Sequence, residues 1–175
     1  MLRYKITTVN TFDLCDAIID IHKKNNISLT SCKLQTICFL YQIVSRTTHV
    51  IPSVDDDFIL KNNFVFLVDV EHKYRKTKKE DITKLKQLYK KIPFSSYGSA
   101  NKLLTHLCLY FENYSDKLLR KLVRKTPIYI KTKNENQNIV KMEKKDFIKY
   151  YPLQKWEDGY NMILDIDDKI PLFKL

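Results

Sequence analysis

The chain has 175 residues, of which 44% are hydrophobic and 12% aromatic, and this composition predicts one folded domain over residues 1–175. Its formal net charge is +11, but only five of the 31 basic residues are arginines. Lysine suits solvated surfaces better than bidentate phosphate recognition, so the charge alone is a weak indication of nucleic-acid binding. No apolar run approaches the ~20 residues of a membrane-spanning helix and no signal-peptide pattern opens the chain, so we expect a soluble, cytoplasmic protein.

Two amphipathic helices are predicted at the start of the chain. The first is predicted to be capped by Thr11 and to end at the turn Asn25-Asn26. The second begins near Thr30 and carries an apolar stripe at helical spacing, made of Leu34, Ile37, Cys38, Tyr41 and Val44. Since each helix has one apolar face, we expect the two to pack together.

The middle of the chain gives mixed signals. Residues 45–57 contain a proline and three aspartates and are predicted to form a loop. In residues 58–80 the segment FVFLV has the composition of a short buried strand, whereas DVEHKYRK could continue into a helix. The sequence therefore does not decide between strand and helix for this stretch. A charged helix is predicted from about Lys79 to Lys91, and Pro93 ends it.

The C-terminal half is predicted to combine helices with one β-hairpin. Ser99 and Ser115 are each predicted to cap a helix. The segments PIYIK and NIVKM flank a polar loop and indicate a hairpin, followed by short helices over residues 144–151 and 153–162 and an extended tail. The predicted fold class is therefore α+β and mainly helical, a single compact domain of about six helices with a small β-hairpin in the C-terminal half.

The residue types that carry catalysis and metal binding are scattered along the chain. The four cysteines and four histidines lack metal-ligand spacing, so we expect reduced core thiols. His106 and Cys108 lie two residues apart on one predicted helix and therefore point in different directions. The aspartates of residues 55–57 and 165–168 fit solvated loops or caps as well as a nuclease site. We therefore expect no enzyme, no metal site and no cofactor.

Two basic stretches allow two interpretations. Residues 72–91 and 117–131 contain nine and six lysines and arginines, interleaved with tyrosines and apolar residues. Nucleic-acid binding would use the cations for phosphates and the tyrosines for base stacking. A solvated helix face explains the same pattern, because Ile82, Leu85 and Leu88 stand at helical spacing and leave the lysines outside.

Two blocks of the sequence resemble a known family. The first block contains Thr30, Lys33, Leu34, Gln35, Leu40 and Tyr41, and the second contains Ser99, Ala100, Leu103, Leu104, Thr105 and His106. In this order the two blocks resemble the Panacea-type (SocA-like, phage-associated) antitoxin domain, in which a threonine-initiated helix opens with Lys-Leu-Gln and a later helix carries a Thr-His pair. The resemblance covers residues 1–112, and residues 113–175 are predicted as a helix, the hairpin and a C-terminal extension.

The sequence departs from the family pattern between the two blocks. Family members usually carry a tryptophan followed closely by Gly-Pro-Val, and this chain has Lys61, Phe64 and Val65 near that place. The family's Pro-Trp after the Thr-His pair is also missing, with Phe111-Glu112 near that point. A diverged member with a changed partner surface is the interpretation that we prefer.

The resemblance implies a non-enzymatic module that neutralises a cognate toxin or a host defence protein by direct contact. The candidate partner-binding residues are Lys33, Gln35, Tyr74, Arg75, Tyr89, Tyr97, Thr105 and His106, and Tyr110 is a further candidate aromatic contact. A phage or mobile-element anti-defence inhibitor of anti-CRISPR type is one alternative. A small basic nucleic-acid-binding protein is the other.

Overall fold

A computed structural model of the chain describes residues 8–46, 53–77, 81–84, 98–135 and 137–151. Within these residues there are seven α-helices: α1 (Thr11–Lys24), α2 (Ser31–Arg46), α3 (Val68–Tyr74), α4 (Ser99–Tyr110), α5 (Asp116–Arg124), α6 (Pro127–Lys133) and α7 (Lys144–Tyr150). The described strands are β1 (Thr8–Val9), β2 (Ser53–Val54), β3 (Phe58–Lys61), β4 (Phe64–Leu67) and β5 (Ile139–Met142). The predicted α+β, mainly helical fold class is confirmed.

Helix α2 is the central element of the core. Every residue from 31 to 45 is buried, so the helix is covered on all sides rather than along one stripe. Helices α1, α3, α4, α5 and α7, together with β2 and β4, pack against it. The predicted apolar stripe is correct but too narrow, because polar positions of α2 are buried as well.

Helix α1 forms almost as predicted. Its N-cap is Asn10, whose side-chain oxygen accepts a hydrogen bond from the Phe12 N–H at 3.0 Å, so the predicted cap at Thr11 is wrong by one residue. The chain leaves the helix through Asn26, which adopts a left-handed φ of 56°. The predicted packing of the first two helices is confirmed by the 3.9 Å approach of Cys15 Sγ to Cys38 Sγ.

The three-stranded sheet is antiparallel, with strand order β4-β3-β5, while β1 and β2 form a separate parallel pair. The segment FVFLV, for which strand and helix were both considered, forms β4, and its last residue, Val68, begins α3. Strands β3 and β4 are joined by Asn62 and Asn63, which have positive φ values of 52° and 62°. Two such residues between paired strands are typical of a type I′ hairpin turn.

The predicted C-terminal hairpin is wrong. Residues 127–131 lie in α6, because Thr126 caps that helix, its hydroxyl oxygen accepting from the Tyr129 N–H at 3.3 Å, and Pro127 occupies its first turn. Strand β5 forms where NIVKM was predicted to pair, but its partner is β3. Phe39 of α2, Phe58 of β3 and Phe147 of α7 meet beneath this sheet, with ring centroids 5.4–6.1 Å apart.

The remaining helix predictions have mixed outcomes. Ser115 caps α5, its hydroxyl oxygen accepting from the Leu118 N–H at 3.3 Å, whereas α4 begins at Ser99 itself and has Gly98 at its N-cap. Of the charged helix predicted from Lys79 to Lys91, only residues 81–84 are described, and residues 82–84 form a 3₁₀ turn. The helix predicted over residues 153–162 and the tail lie outside the described residues. Of the predicted loop over 45–57, residues 53–54 form β2.

Candidate partner-binding surface

One side of the three-stranded sheet faces the core and the other faces outward. The inward side chains, including Phe58, Leu60 and Val65, are buried. The residues that alternate with them form the outer sheet face, which consists of Ile59, Lys61, Phe64, Phe66, Ile139 and Lys141. The register sets them in two rows, because Lys61 lies opposite both Phe64 and Ile139, and Ile59 lies opposite both Phe66 and Lys141.

The outer sheet face is rich in apolar side chains. Four of its six positions are aliphatic or aromatic, whereas the solvated side of an antiparallel sheet normally carries polar residues. Ile139 is 51% exposed. The rings of Phe64 and Phe66 are nearly parallel, with centroids 6.1 Å apart and an interplanar angle of 17°. Lys141 at its border pairs with Asp57 at 2.7 Å.

A cleft of about 420 Å³ adjoins the outer sheet face. It lies between the β3–β4 turn, the first residues of α2, helix α3 with the turn that follows, and α5. We call it the basic cleft and define it by its basic and aromatic lining residues, Lys61, Phe64, Phe66, His72, Arg75 and Arg120. The lining also includes one carboxylate, Glu71.

Arg120 is held in place at the wall of the basic cleft. Its Nε donates a hydrogen bond to Cys32 Sγ at 3.3 Å, and its guanidinium carbon lies 5.1 Å from the ring centroid of Phe64. The hydrogen bond to Cys32 raises the pKa of Arg120, and burial raises the pKa of the Cys32 thiol. The guanidinium is therefore a fixed cation, with its terminal nitrogens available to bind a further acceptor.

Two predicted contact residues have structural roles inside the fold. Lys33 is 6% exposed, and its Nζ donates to the Glu112 carbonyl at 2.8 Å, while burial lowers its pKa. Gln35 is fully buried, and its side-chain amide donates to the Leu67 carbonyl at 3.3 Å and accepts from the Leu67 N–H at 2.9 Å. Their prediction as partner contacts is therefore corrected, because both side chains join α2 to neighbouring elements.

Among the other predicted contact residues, those that the structure describes do not form one shared surface. Tyr74 is buried, which removes it from the exposed aromatics. The Thr105 hydroxyl donates to the Asn101 carbonyl within α4 at 2.9 Å, and the half-buried His106 ring lies 6.1 Å from that of Tyr110. Tyr89 and Tyr97 lie outside the described residues.

Of the predicted contact residues within the described ranges, only Arg75 lines the basic cleft. Sequence reasoning missed the outer sheet face. The Asn62-Asn63 turn between two short apolar segments was the signal that could have revealed the hairpin and hence the face.

Two of the three aspartates of residues 55–57 have roles within the fold. Asp55 Oδ1 accepts hydrogen bonds from the Thr11 N–H at 3.0 Å and from the Thr11 hydroxyl at 3.1 Å, and Asp57 pairs with Lys141. Among the described ranges there is no group of three histidine, cysteine or acidic residues that could hold a metal ion. In that same part of the chain, no helix is long and apolar enough to span a membrane.

Comparison of the chain with family models, with curated proteins and with solved structures finds no match.

Proposed function

We propose that this protein is a non-enzymatic, antitoxin-like inhibitor, which acts in the cytoplasm and neutralises a toxin or defence protein by direct contact through the outer sheet face. The observation that carries the proposal is the apolar and aromatic content of this outward side. Contiguous exposed apolar patches with a polar border are typical of protein interaction sites. The two stacked phenylalanines provide the aromatic anchors that dominate the binding energy of many interfaces.

The charges around the outer sheet face indicate the chemistry of the partner. Lys61 lies within the face, and Arg75 and Arg120 line the adjoining basic cleft. Cations at the border of an apolar interface select a complementary acidic surface and accelerate its association. We therefore expect the partner to present an apolar patch bordered by aspartates or glutamates.

The sequence resemblance supports the same class of function and a changed partner. Lys61, Phe64 and Val65 replace the tryptophan, glycine and proline expected for the Panacea-type domain. These three residues belong to the hairpin that presents the outer sheet face. Of these three, Lys61 and Phe64 lie on the outer sheet face, so this part of the departure alters the contact surface. An anti-defence inhibitor of anti-CRISPR type would arise in this way.

The test is a pull-down of the tagged full chain from its native host, washed in parallel at low and high salt. The double variant F64S/F66S removes both aromatic anchors. Leu109→Ser is the matched control, because Leu109 is a 39% exposed apolar residue on α4, which does not line the cleft. Circular dichroism of all three proteins checks that the fold is retained.

We expect a stoichiometric protein to survive high salt with the unmodified chain and with L109S, and to be lost with F64S/F66S. The purified partner should then form a one-to-one complex in calorimetry and lose its own activity. Nucleic acid that elutes at high salt, with no protein partner, would overturn the proposal and favour the nucleic-acid alternative, since each phosphate contact is salt-sensitive. Equal loss of the partner with both variants would also contradict it.

A further inference from the structure

We infer that the basic cleft is a binding site for a nucleoside monophosphate, with the phosphate held by its cations and the planar base placed against its aromatic wall. The site shares Lys61, Phe64 and Phe66 with the outer sheet face proposed above, but its test does not depend on the capture of a protein partner. The cleft volume of about 420 Å³ lies within the ~300–1,000 Å³ typical of small-molecule sites. It exceeds what a lone phosphate needs, so the site has room for a ring system.

The cations of the cleft converge from three different elements. Lys61 comes from the end of β3, Arg75 from the turn after α3, and Arg120 from α5. Among the described residues, neither Lys61 nor Arg75 has an ion-pair partner. One carboxylate, Glu71, lines the same space, so the three cations leave a net positive charge around the cleft, which a bound dianion offsets.

The start of α2 adds backbone donors to the same space. Ser31 and Cys32 line the cleft, and they belong to the first turn of a 16-residue helix. Thr30 satisfies the next two amides, because its hydroxyl accepts from the Lys33 N–H at 3.0 Å and its carbonyl accepts from the Leu34 N–H at 2.9 Å. The first-turn amides of Ser31 and Cys32 have no carbonyl partner within their own helix. The end of α2 that lines the cleft is therefore the end whose dipole favours an anion.

The aromatic wall explains why the ligand is a nucleotide rather than a simple anion. Phe64 and Phe66 are half-buried, so part of each ring remains accessible. The Arg120 guanidinium is held over Phe64 and presents a second planar surface. Bases stack on phenyl rings and on guanidinium planes whatever their sequence identity. A ligand that contacts both the aromatic rings and the cations of the cleft must carry a planar ring and a phosphate in one molecule.

The test is calorimetric titration of the full chain with the four ribonucleoside monophosphates, with adenosine and with inorganic phosphate. We expect at least one monophosphate to bind ten or more times tighter than either adenosine or inorganic phosphate. Arg75→Gln should weaken that monophosphate at least tenfold and leave adenosine unchanged. Lys76→Gln is the matched control, because Lys76 is the next, exposed cation and does not line the cleft.

Phe66→Ser removes an aromatic contact to the base and leaves the cations in place. It should weaken the binding of the monophosphate and of adenosine by the same factor, while the binding of inorganic phosphate is unchanged. A monophosphate that binds no tighter than inorganic phosphate would overturn the inference, as would equal effects of R75Q and K76Q. A 5′-phosphorylated oligonucleotide that binds much tighter than any mononucleotide, with steep salt dependence, would show a nucleic-acid surface instead. Partner capture is measured separately, so a failure here leaves the proposed inhibitor function standing.

Discussion

The strongest energetic prediction concerns the buried side chain of Gln35. Its amide pairs with both backbone groups of Leu67, at the point where β4 ends and α3 begins. Gln35→Met keeps the length and the unbranched shape of the side chain and removes both hydrogen bonds. The Leu67 N–H and carbonyl are then left buried in the core without these partners.

The size of the effect follows from two unsatisfied backbone groups. Each buried group that loses its partner costs about 1–3 kcal/mol, and the apolar methionine recovers part of this by favourable burial. We expect Gln35→Met to lower the free energy of unfolding by about 3 kcal/mol. In a domain of this size that corresponds to a fall in Tm of roughly 6–12 °C. Gln42→Met is the matched variant, because Gln42 Oε1 accepts one backbone bond, from the Val54 N–H at 2.8 Å, so a smaller loss of about 1–2 kcal/mol is expected.

Urea unfolding followed by circular dichroism measures these differences, and hydrogen exchange measures the Leu67 amide directly. We expect an unchanged m value, a lower midpoint, and faster exchange at Leu67 in Q35M than in Q42M. A loss below about 1 kcal/mol in Q35M, with the Leu67 amide still protected, would refute the assignment of Gln35 as the link between α2 and the sheet.

Three further predictions follow from the core. His22 is buried, its Nδ1–H donates to the Ile18 carbonyl at 2.8 Å, and burial lowers its pKa. The neutral ring therefore contributes to the free energy of unfolding in full above the unfolded pKa of ~6.5, and this contribution is lost as pH falls. The difference between the urea midpoints at pH 7 and pH 5 should be smaller in His22→Phe than in the unmodified protein. Thr126→Ala removes the cap of α6 and should lower stability by about 1–2 kcal/mol in urea unfolding, whereas equal stability would exclude a capping role. All four cysteine thiols are buried, so Ellman's reagent at pH 8 should label none in the native protein and four after unfolding; rapid native labelling would contradict this.

Local patterns in the sequence predict helices well where capping and periodicity agree. Helix α1 follows its predicted bounds because a capping asparagine precedes it and a left-handed asparagine follows it. Helix α6 shows the opposite case, because the β-branched and aromatic content of residues 127–131 favours a strand. The Thr126 cap and Pro127 in the first turn favour a helix, and these capping preferences prevail.

Long-range pairing explains what local patterns do not reveal. Strand β5 joins β3 across the intervening helices, and no local signal in either segment identifies the other as its partner. The polar side chains of α2 are a second case. Lys33, Gln35 and Gln42 are of residue types that usually face solvent, yet each binds the backbone of a neighbouring element. Their burial depends on partners that are distant in sequence, so helical periodicity alone does not reveal it.

The burial of the Lys-Leu-Gln motif changes what the family resemblance can support. Lys33 and Gln35 bind backbone groups of the turn after α4 and of β4, so the motif specifies how α2 is anchored in the core rather than which partner is bound. A shared motif that is buried in this way supports a shared fold and says nothing about a shared partner. Partner choice must therefore depend on exposed residues, and Lys61 and Phe64, where the sequence departs from the family, are on the outer sheet face. If the departure reflects a new partner, replacing the exposed Lys61 by the family's tryptophan should leave Tm within a few degrees while abolishing capture of the native partner. Retained capture would place the specificity elsewhere.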